Sequence, residues 1–375
     1  MKKIILWRNR PIDVDIQLWN EIAKQFDGEV VVLYSEGILK ERCSTGVAAN
    51  DFDVFSFKSK KVDYKLDRDY LLNQALCDEN INIFFGFDKK FLIYLDAIKK
   101  NNKKFAVIAE MPKFYARKSF RLLKNILLFL KYRLLSLKYR RSISLFFAYG
   151  IDGVKAYKRL KFNEESLYPI MYNSEYECHL GENESKQLKI VYVGRFEYNF
   201  KGIDLIINAV KDIANENIQL DLVGGYGKNK DDVLQSIKNC TNIHFLGTWQ
   251  QSEVVTNMSR YDLCIVPSRC DGWNINVNHS IKAGIGCVAS DRCVSYELIN
   301  YAKNGVVIHA NKKDIISVLR CALDNPQEVK RWKENARKYA PQLETAKFAK
   351  YVLDCIEMQF NIKEKKEIKP SWITK

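Results

Sequence analysis

Several features that mark other protein classes are missing from this 375-residue sequence. No apolar run approaches the ~18 residues that a membrane-spanning helix requires. Met1-Lys2-Lys3 leads directly into a strand-like segment instead of the long apolar core of a signal peptide. The 10 cysteines include no C-x-x-C pair, which disfavours a zinc or disulfide framework and favours reduced thiols. We therefore expect a cytoplasmic protein without a membrane span.

Nucleic-acid-binding motifs are also missing, although the formal charge is +15. The segment 113–141 contains ten basic residues and no acidic ones. No zinc knuckle, helix-turn-helix or RNP-like motif accompanies this charge, so we expect no nucleic acid partner. The location of the charge in one segment indicates a local role.

Helical spacing places much of that charge along one stripe of a single helix. The stripe consists of Lys113, Arg117, Arg121, Lys124, Lys131 and Lys138. Roughly opposite lie Leu122, Leu123, Ile126, Leu130, Leu134 and Leu137. Two interpretations remain open: a solvated helix whose apolar side packs on a sheet, or a helix that lies on an anionic membrane leaflet.

Short apolar runs alternate with amphipathic segments, a pattern typical of parallel sheets with helices on both faces. The length predicts two domains. Predicted strands of the first are 4–7, 30–34, 53–57, 81–85, 104–109, 145–149 and 168–171. Those of the second are 189–193, 219–223, 242–246, 263–266 and 287–289. We predict a first domain at 1–172, a polar linker at 173–187, a second domain at 188–345, and a C-terminal helix and tail at 346–375.

The stretch from Tyr261 to Ser290 indicates a ligand site. A buried strand at 263–266 is followed by Pro267-Ser268 and by a turn at Asp271-Gly272. A helix is then predicted over 275–283, with Gly284 just past its end. The first backbone N–H groups of a helix have no internal partners, so this arrangement suits an anion, most commonly phosphate. The first loop of the chain, Arg8-Asn9-Arg10-Pro11, lacks a Gly-rich turn, which disfavours the first domain as the nucleotide site.

The same stretch resembles the donor-binding segment of retaining glycosyltransferases of family 4, which have the GT-B fold. The matching residues are Pro267-Ser268, Asp271-Gly272-Trp273 and Ala283-Gly284. Val193-Gly194-Arg195 with Lys201-Gly202 resembles the diphosphate-binding pair of that family, and Gly224-Gly225-Tyr226-Gly227 follows in order. Three positions depart from the family pattern. Asp271 and His279 occupy the places of its paired glutamates, and Asn274 replaces a small residue.

The resemblance implies a donor site and a catalytic centre. Donor-binding residues would be Gly194, Arg195, Lys201, Gly224, Trp273, Asn274, His279 and Glu297. The fork of Arg195 and the ammonium of Lys201 suit a diphosphate and would stabilise it as the leaving group. Asp271 would be a catalytic residue that lies against the donor sugar, although a turn or N-cap aspartate is the alternative. Glu297 resembles an acid that follows the next strand, yet any amphipathic helix could carry it.

His279 replaces the second glutamate of the family pattern, which changes how the ribose would be bound. The glutamate of the family accepts two hydrogen bonds from the ribose diol, whereas a neutral imidazole has one acceptor nitrogen. Nucleotide binding should therefore weaken, with Asn278 as a compensating amide. Alternatively, His279 packs on its helix and touches no ligand.

Glu110 is the predicted contact of the first domain with the acceptor or the catalytic centre. It follows the strand 104–109, and ligand groups collect at the carboxyl ends of parallel strands. The alternative is a carboxylate at a helix start beside the basic segment.

The resemblance thus implies an α/β protein of GT-B fold, with two Rossmann-like domains facing across a cleft. Its implied reaction is retaining transfer of a hexose from a nucleotide-diphosphate sugar, a substrate and not a cofactor, to a lipid-linked saccharide. No metal is expected. The implied process is bacterial surface polysaccharide synthesis (lipopolysaccharide, O-antigen or capsule) at the inner face of the cell membrane. Lys113, Arg117, Arg121, Lys124 and Lys131 would then contact membrane or acceptor. Rival interpretations are a non-catalytic GT-B partner subunit and a sugar-nucleotide epimerase.

Overall fold

The computed structural model describes residues 2–10, 13–37, 56–112, 119–173, 187–214, 217–224, 226–364 and 366–373. The chain divides into two compact units. Alternating strands and helices build each unit, as the alternating sequence pattern predicts.

The first unit contains, within the described residues, a seven-stranded parallel sheet of order β3-β2-β1-β4-β5-β6-β7. Its strands are β1 Lys3–Arg8, β2 Glu29–Tyr34, β3 Lys58–Lys61, β4 Asn80–Phe85, β5 Phe105–Ala109, β6 Ile143–Tyr149 and β7 Leu167–Ile170. The helices between them are α1 Asp13–Gln25, α2 Arg68–Leu76, α3 Leu92–Lys100, α4 Ser119–Tyr139 and α5 Gly150–Arg159, with a short 3-10 helix at Glu164–Ser166.

The second unit contains, in its described part, a six-stranded parallel sheet of order β10-β9-β8-β11-β12-β13. Its strands are β8 Leu188–Gly194, β9 Ile218–Gly224, β10 Ile243–Phe245, β11 Leu263–Val266, β12 Gly286–Ser290 and β13 Gly305–Ile308. Its helices are α6 Tyr198–Lys201, α7 Ile203–Ile213, α8 Lys230–Ile237, α9 Val254–Met258, α10 Ile275–Lys282, α11 Tyr296–Ala302, α12 Lys312–Asp324 and α13 Pro326–Tyr339, with 3-10 helices at Gln251–Glu253 and Ala340–Leu343.

Each unit has its own hydrophobic core, and the two cores differ in composition. The first is rich in aromatic rings: those of Trp7 and Phe84 are stacked with centroids 4.9 Å apart, and those of Phe146 and Tyr157 are tilted with centroids 4.3 Å apart. The second is mainly aliphatic, built from strand residues such as Leu220 against the inner face of α7. Burial of these side chains is the main driving force for folding of each unit.

The last helix, α14 (Thr345–Gln359), belongs to the first unit, although the second precedes it in sequence. It packs on α1 and on β6, and its Tyr351 hydroxyl donates to the carbonyl of Pro169 at 3.0 Å. Residues 174–186, most of the predicted linker 173–187, lie outside the described residues.

Most predicted strands agree with observed ones to within one or two residues. The exception is 53–57, of which residues 53–55 lie outside the described residues, while β3 begins at Lys58. All cysteines of the described ranges are free thiols, as predicted. Among the described residues, every helix is too short or too polar to cross a lipid bilayer.

The leucine side of helix α4 does not pack on the sheet, although the simpler of the two sequence interpretations predicted that it would. The residues that contact the core are Tyr132, Leu135, Ser136 and Tyr139. Leu123, Ile126, Leu127, Leu130, Leu134 and Leu137 are instead between 46% and 66% exposed. The helix thus presents an apolar strip to the outside, bordered at helical spacing by Lys124 and Lys131.

Candidate functional site

The order of strands in the second unit locates a ligand site before any side chain is considered. β8 and β11 are neighbours at the point where the strand order reverses. In open parallel sheets, ligands bind beyond the carboxyl ends of the strands at such a switch point. β8 ends at Gly194 and β11 at Val266, so the loops that follow them form the candidate site.

Glycines bring the backbone segments of this edge unusually close. Gly194 and Gly224 are paired in register at the ends of β8 and β9. A Cβ on Gly224, whose φ is +127°, would lie 2.1 Å from the carbonyl oxygen of Gly194. A Cβ on Gly202, at φ +66°, would lie 2.2 Å from the carbonyl oxygen of Pro267. Only glycine permits these approaches, which place Lys201 next to the loop after β11.

The charged centre of the site is an ion pair between Lys201 and Asp271. Their Nζ and Oδ2 atoms lie 2.5 Å apart, with 18% and 10% of the side chains exposed. Asp271 Oδ2 also accepts hydrogen bonds from Ser268 Oγ at 3.3 Å and Asn274 Nδ2 at 3.1 Å. Three donors therefore hold one carboxylate in a fixed position, which is the preorganisation that binding and catalysis require.

Arg195 supplies a second cation on the loop after β8. Its guanidinium is 45% exposed and lies 3.3 Å from Glu197. The hydroxyl of Tyr192 donates to the carbonyl of Arg195 at 2.7 Å and fixes the backbone there. The arginine fork remains exposed enough to reach an anion.

The loop after β11 is anchored to α6 and α7. Arg269 forms a bidentate pair with Asp204, at 2.5 Å and 2.7 Å. The backbone N–H groups of Arg269 and Cys270 both donate to the carbonyl of Phe200. These contacts hold Ser268 and Asp271 relative to Lys201.

The start of α10 is capped by a side chain that also belongs to the charged centre. Asn274 accepts from the N–H of Asn276 at 3.1 Å while its amide donates to Asp271. The side-chain amide of Asn276 donates to the carbonyl of Val193 at 2.7 Å, which ties the helix to β8. One of the helix N–H groups expected to bind an anion is therefore satisfied by the cap.

His279 lies in the interior of the second unit and is 1% exposed. Burial, with a smaller effect of Lys282, lowers the pKa of the imidazole to about 3. His279 is consequently neutral at physiological pH. Asn278, the suggested compensating amide, is fully buried and accepts from Trp273 Nε1 at 3.0 Å.

Two ionisable neighbours of Asp271 stay protonated. Burial and the charge of Asp271 raise the pKa of the Cys293 thiol to about 12. The same two causes, burial first, raise the pKa of Tyr192 well above its ordinary value. Neither group can act as a thiolate or phenolate near neutral pH.

The other predicted residues lie apart from this centre. Glu297 is 7% exposed in the first turn of α11. Glu110 directly follows β5 in the first unit, is exposed, and accepts from the Tyr172 hydroxyl at 3.1 Å. Lys113 and Arg117 lie outside the described residues, as does the side chain of Arg121, and Lys124 and Lys131 are exposed on α4. The roles assigned to all of these remain predictions.

Three residues at the site were not among those predicted: Ser268, Arg269 and Asn276. Ser268 stood in the motif but without a role. Arg269 and Asn276 act through partners 65 and 83 residues away in sequence, which local spacing does not show. Among the described residues, no group of three or more His, Cys, Asp or Glu side chains could hold a metal ion.

Comparison with known proteins finds similarity in the segment that carries this site. Residues 180–339 match the family model described as "Glycosyl transferases group 1". O-antigen biosynthesis glycosyltransferase WbnH of Escherichia coli is 27% identical over 164 residues, which are 44% of this chain and 46% of that protein. Probable O-antigen biosynthesis glycosyltransferase WbiN of Escherichia coli gives the same figures. The chain thus spans about half the length of the curated relatives it matches.

Solved structures resemble nearly the whole chain. Anabaena Alr3699/HepE in complex with UDP has a TM-score of 0.73 at 14% identity, over 95% of this chain and 100% of that one. Sucrose-phosphate synthase of Thermosynechococcus elongatus has a TM-score of 0.72 at 13% identity, over 97% and 100%. WaaG, involved in lipopolysaccharide biosynthesis, has a TM-score of 0.61 at 16% identity, over 96% and 100%. At these identities the likeness shows the fold. The chain therefore has the GT-B fold, and its segment 180–339 is similar to the glycosyl transferases group 1 family.

Proposed function

We propose that this protein transfers a sugar from a nucleotide-diphosphate sugar to a saccharide acceptor during assembly of a bacterial surface polysaccharide. The observation that carries the proposal is the charged centre of Lys201, Asp271 and Arg195 at the switch point of the second sheet. The family match of this segment and the O-antigen relatives support it. HepE, which shares the fold, has been crystallised with UDP and with UDP-glucose, which supports a uridine diphosphate sugar as donor.

In this proposal, the two cations bind the diphosphate of the donor. Arg195 offers a planar fork and Lys201 a point charge, and both stabilise the negative charge that develops on the leaving diphosphate. Asp271, already held by Ser268 and Asn274, accepts a hydrogen bond from a sugar hydroxyl. When the diphosphate enters, Lys201 is shared between it and Asp271. The anomeric configuration is retained, and the leaving diphosphate helps to deprotonate the acceptor hydroxyl.

We further propose that the acceptor is lipid-linked and that the protein works at the inner face of the cell membrane. Helix α4 supports this part, because its apolar strip is exposed and Lys124 and Lys131 border it. The 21 residues of α4 include no acidic side chain. An amphipathic helix of this composition lies in the interface of an anionic bilayer, with the apolar side inserted and the lysines at the headgroups. Glu110 is proposed to contact the acceptor.

The function is tested by donor binding and turnover in the full chain. A thermal-shift panel of nucleotide-diphosphate sugars identifies the donor, since a bound ligand raises stability. Lys201→Met should then reduce kcat/KM for that donor by roughly a hundredfold, because it removes one cation from the leaving group. Lys238→Met, an exposed lysine on the same unit, is the control and should change neither binding nor turnover. Equal activity of both variants would refute the assignment of the donor site.

A second candidate function is a non-catalytic partner subunit of an active transferase. His279 favours it, because a buried neutral imidazole stands where the family has a carboxylate. Binding of a nucleotide sugar without transfer or hydrolysis, in wild type and Lys201→Met alike, would select this alternative over the enzyme.

A further inference from the structure

The first unit has a pocket of 1270 Å³ at an edge of its sheet that the proposed reaction does not use. Lys104 immediately precedes β5, Ile143 and Ser144 begin β6, and Ser166 immediately precedes β7. The pocket therefore lies at the amino ends of these strands. Glu110 lies at the opposite, carboxyl end of β5, roughly 15 Å away along the strand. We call this pocket the basic groove.

The charge of the basic groove is strongly asymmetric. Its cations outnumber its two carboxylates, Glu164 and Glu165, by more than three to one. The cations are Lys104, Arg140, Arg141, Lys155, Lys158, Arg159 and Lys161. Such a concave surface, lined by one sign of charge, concentrates anions near it.

Part of this charge is already neutralised by protein groups. Lys158 pairs with Glu164 at 2.6 Å and Lys155 with Asp152 at 3.2 Å. Lys104 donates to the carbonyl of Arg141 at 2.5 Å. The side chains of Arg140, Arg141, Arg159 and Lys161 have no carboxylate partner among the described residues. The groove thus offers guanidinium forks and an ammonium, the groups that bind phosphate.

Lys161 has a backbone conformation that glycine adopts more readily than lysine. Lys161 follows the end of α5 with φ +65°, a left-handed conformation in which glycine is favoured after a helix. Its carbonyl accepts from Ser136 of α4 at 2.7 Å. A glycine would relieve the backbone but remove a charge from the groove.

The basic groove begins where the apolar strip of α4 ends. Arg140 and Arg141 directly follow the last residue of the helix. Leu134 and Leu137, 66% and 58% exposed, lie within two turns before them. The exposed apolar surface and the cations of the groove are therefore adjacent, so one anionic bilayer surface can contact both.

We propose that the basic groove binds the phosphate headgroups of anionic lipids, with Arg140, Arg141, Arg159 and Lys161 as the phosphate ligands. This inference deepens the membrane part of the proposed function and rests on it. It does not depend on donor binding by the second unit. Soluble phosphate offers the same chemistry, and a polynucleotide is the other polyanion that such charge would attract.

The test compares two charge-matched double variants of the full chain. Arg159→Gln with Lys161→Gln removes two cations from the groove. Arg337→Gln with Lys338→Gln removes the same two charges from exposed positions of α13. Binding to vesicles of 30% phosphatidylglycerol in phosphatidylcholine is measured by sedimentation. Arg159→Gln with Lys161→Gln, the groove pair, should weaken vesicle binding by about thirtyfold, because each cation near an anionic surface usually contributes about 1 kcal/mol. The α13 pair should change it less than threefold.

Further measurements separate the possible sources of phosphate. Arg159→Gln with Lys161→Gly should lose the same affinity while its melting temperature does not fall below that of the first groove pair, so misfolding cannot explain the loss. If the groove pair and the α13 pair lose equal affinity for the vesicles, the proposal is overturned, because net charge and not the groove would then determine binding. The proposal would also be overturned if vesicle binding did not depend on Arg159 and Lys161 but another ligand did. That ligand would be inorganic phosphate, measured by stabilisation of the protein, or a single-stranded oligonucleotide, measured by binding. If exchange of α4 leucines abolishes vesicle binding but the groove pair does not weaken it, the proposal of membrane docking through α4 stands and the groove proposal is refuted.

Discussion

At the scale of single residues, the site depends on which side chains are charged. Lys201 was predicted to bind the donor and Asp271 to be catalytic, and the structure adds that they form one ion pair. His279 is neutral because water is excluded from it, and burial disfavours the charged form of a base. Of the two positions at which the resemblance predicted acids, one thus has a carboxylate and the other a buried imidazole.

The burial of His279 predicts a specific dependence of stability on pH. Its folded pKa is about 3 and its ordinary value 6.5, so below pH 6.5 the unfolded chain binds a proton that the folded chain does not. Stability from this group is complete above about pH 7 and is lost as pH falls toward 3. Between pH 7 and pH 5 the free energy of unfolding should fall by about 2 kcal/mol more in wild type than in His279→Gln. Urea denaturation of both proteins at each pH measures the difference. Parallel curves would show that His279 titrates normally.

At the scale of elements, α4 shows how a correct helix prediction can lead to the wrong packing. The helix was expected from its periodicity, but periodicity does not show which side meets the sheet. Tyr132, Leu135 and Tyr139 fill that side, and the leucine strip is left outside. The exposed strip and its lysines support a role at a membrane.

Exchange of leucines on this strip should release the protein from anionic vesicles. Leu130→Gln with Leu134→Gln removes apolar contact with the bilayer and should weaken binding roughly tenfold or more. Leu66→Gln with Ile93→Gln is the matched control, since both residues are exposed and apolar but lie outside α4. Binding is measured by vesicle sedimentation at low and physiological salt. Similar loss in both pairs would mean that α4 has no special role.

At the scale of the whole molecule, two hydrophobic cores stabilise two units. The first unit is completed by α14, where Phe348 is fully buried. Trp332 on α13 is 5% exposed in the core of the second. Damage to one core should therefore be visible mainly in its own unit.

Phe348→Ala and Trp332→Ala should each remove about 3–5 kcal/mol of stability, but from different units. Hydrogen exchange followed by mass spectrometry should show lost protection in α1 for Phe348→Ala and in α10 for Trp332→Ala. Added UDP should restore protection in the second unit alone, since the proposed donor site lies there. Loss of protection in both units from either variant would contradict this independence.

The sequence by itself determined the features that depend on neighbouring residues. Alternating apolar runs predicted the parallel sheets, and the stretch from Tyr261 to Ser290 predicted the strand, the turn and the helix of the candidate site. Hydrophobic periods and the backbone preferences of glycine and proline act within a few residues, so they can be read locally.

Only the tertiary structure decided what depends on contacts between distant segments. It joined Lys201 to Asp271 across 70 residues, placed α14 in the first unit and left the leucine strip of α4 exposed. It also gathered the cations of the basic groove from the ends of β5, α4 and α5. These arrangements follow from the packing of each core as a whole, because the face that an element buries is set by its neighbours in space and not by its own sequence.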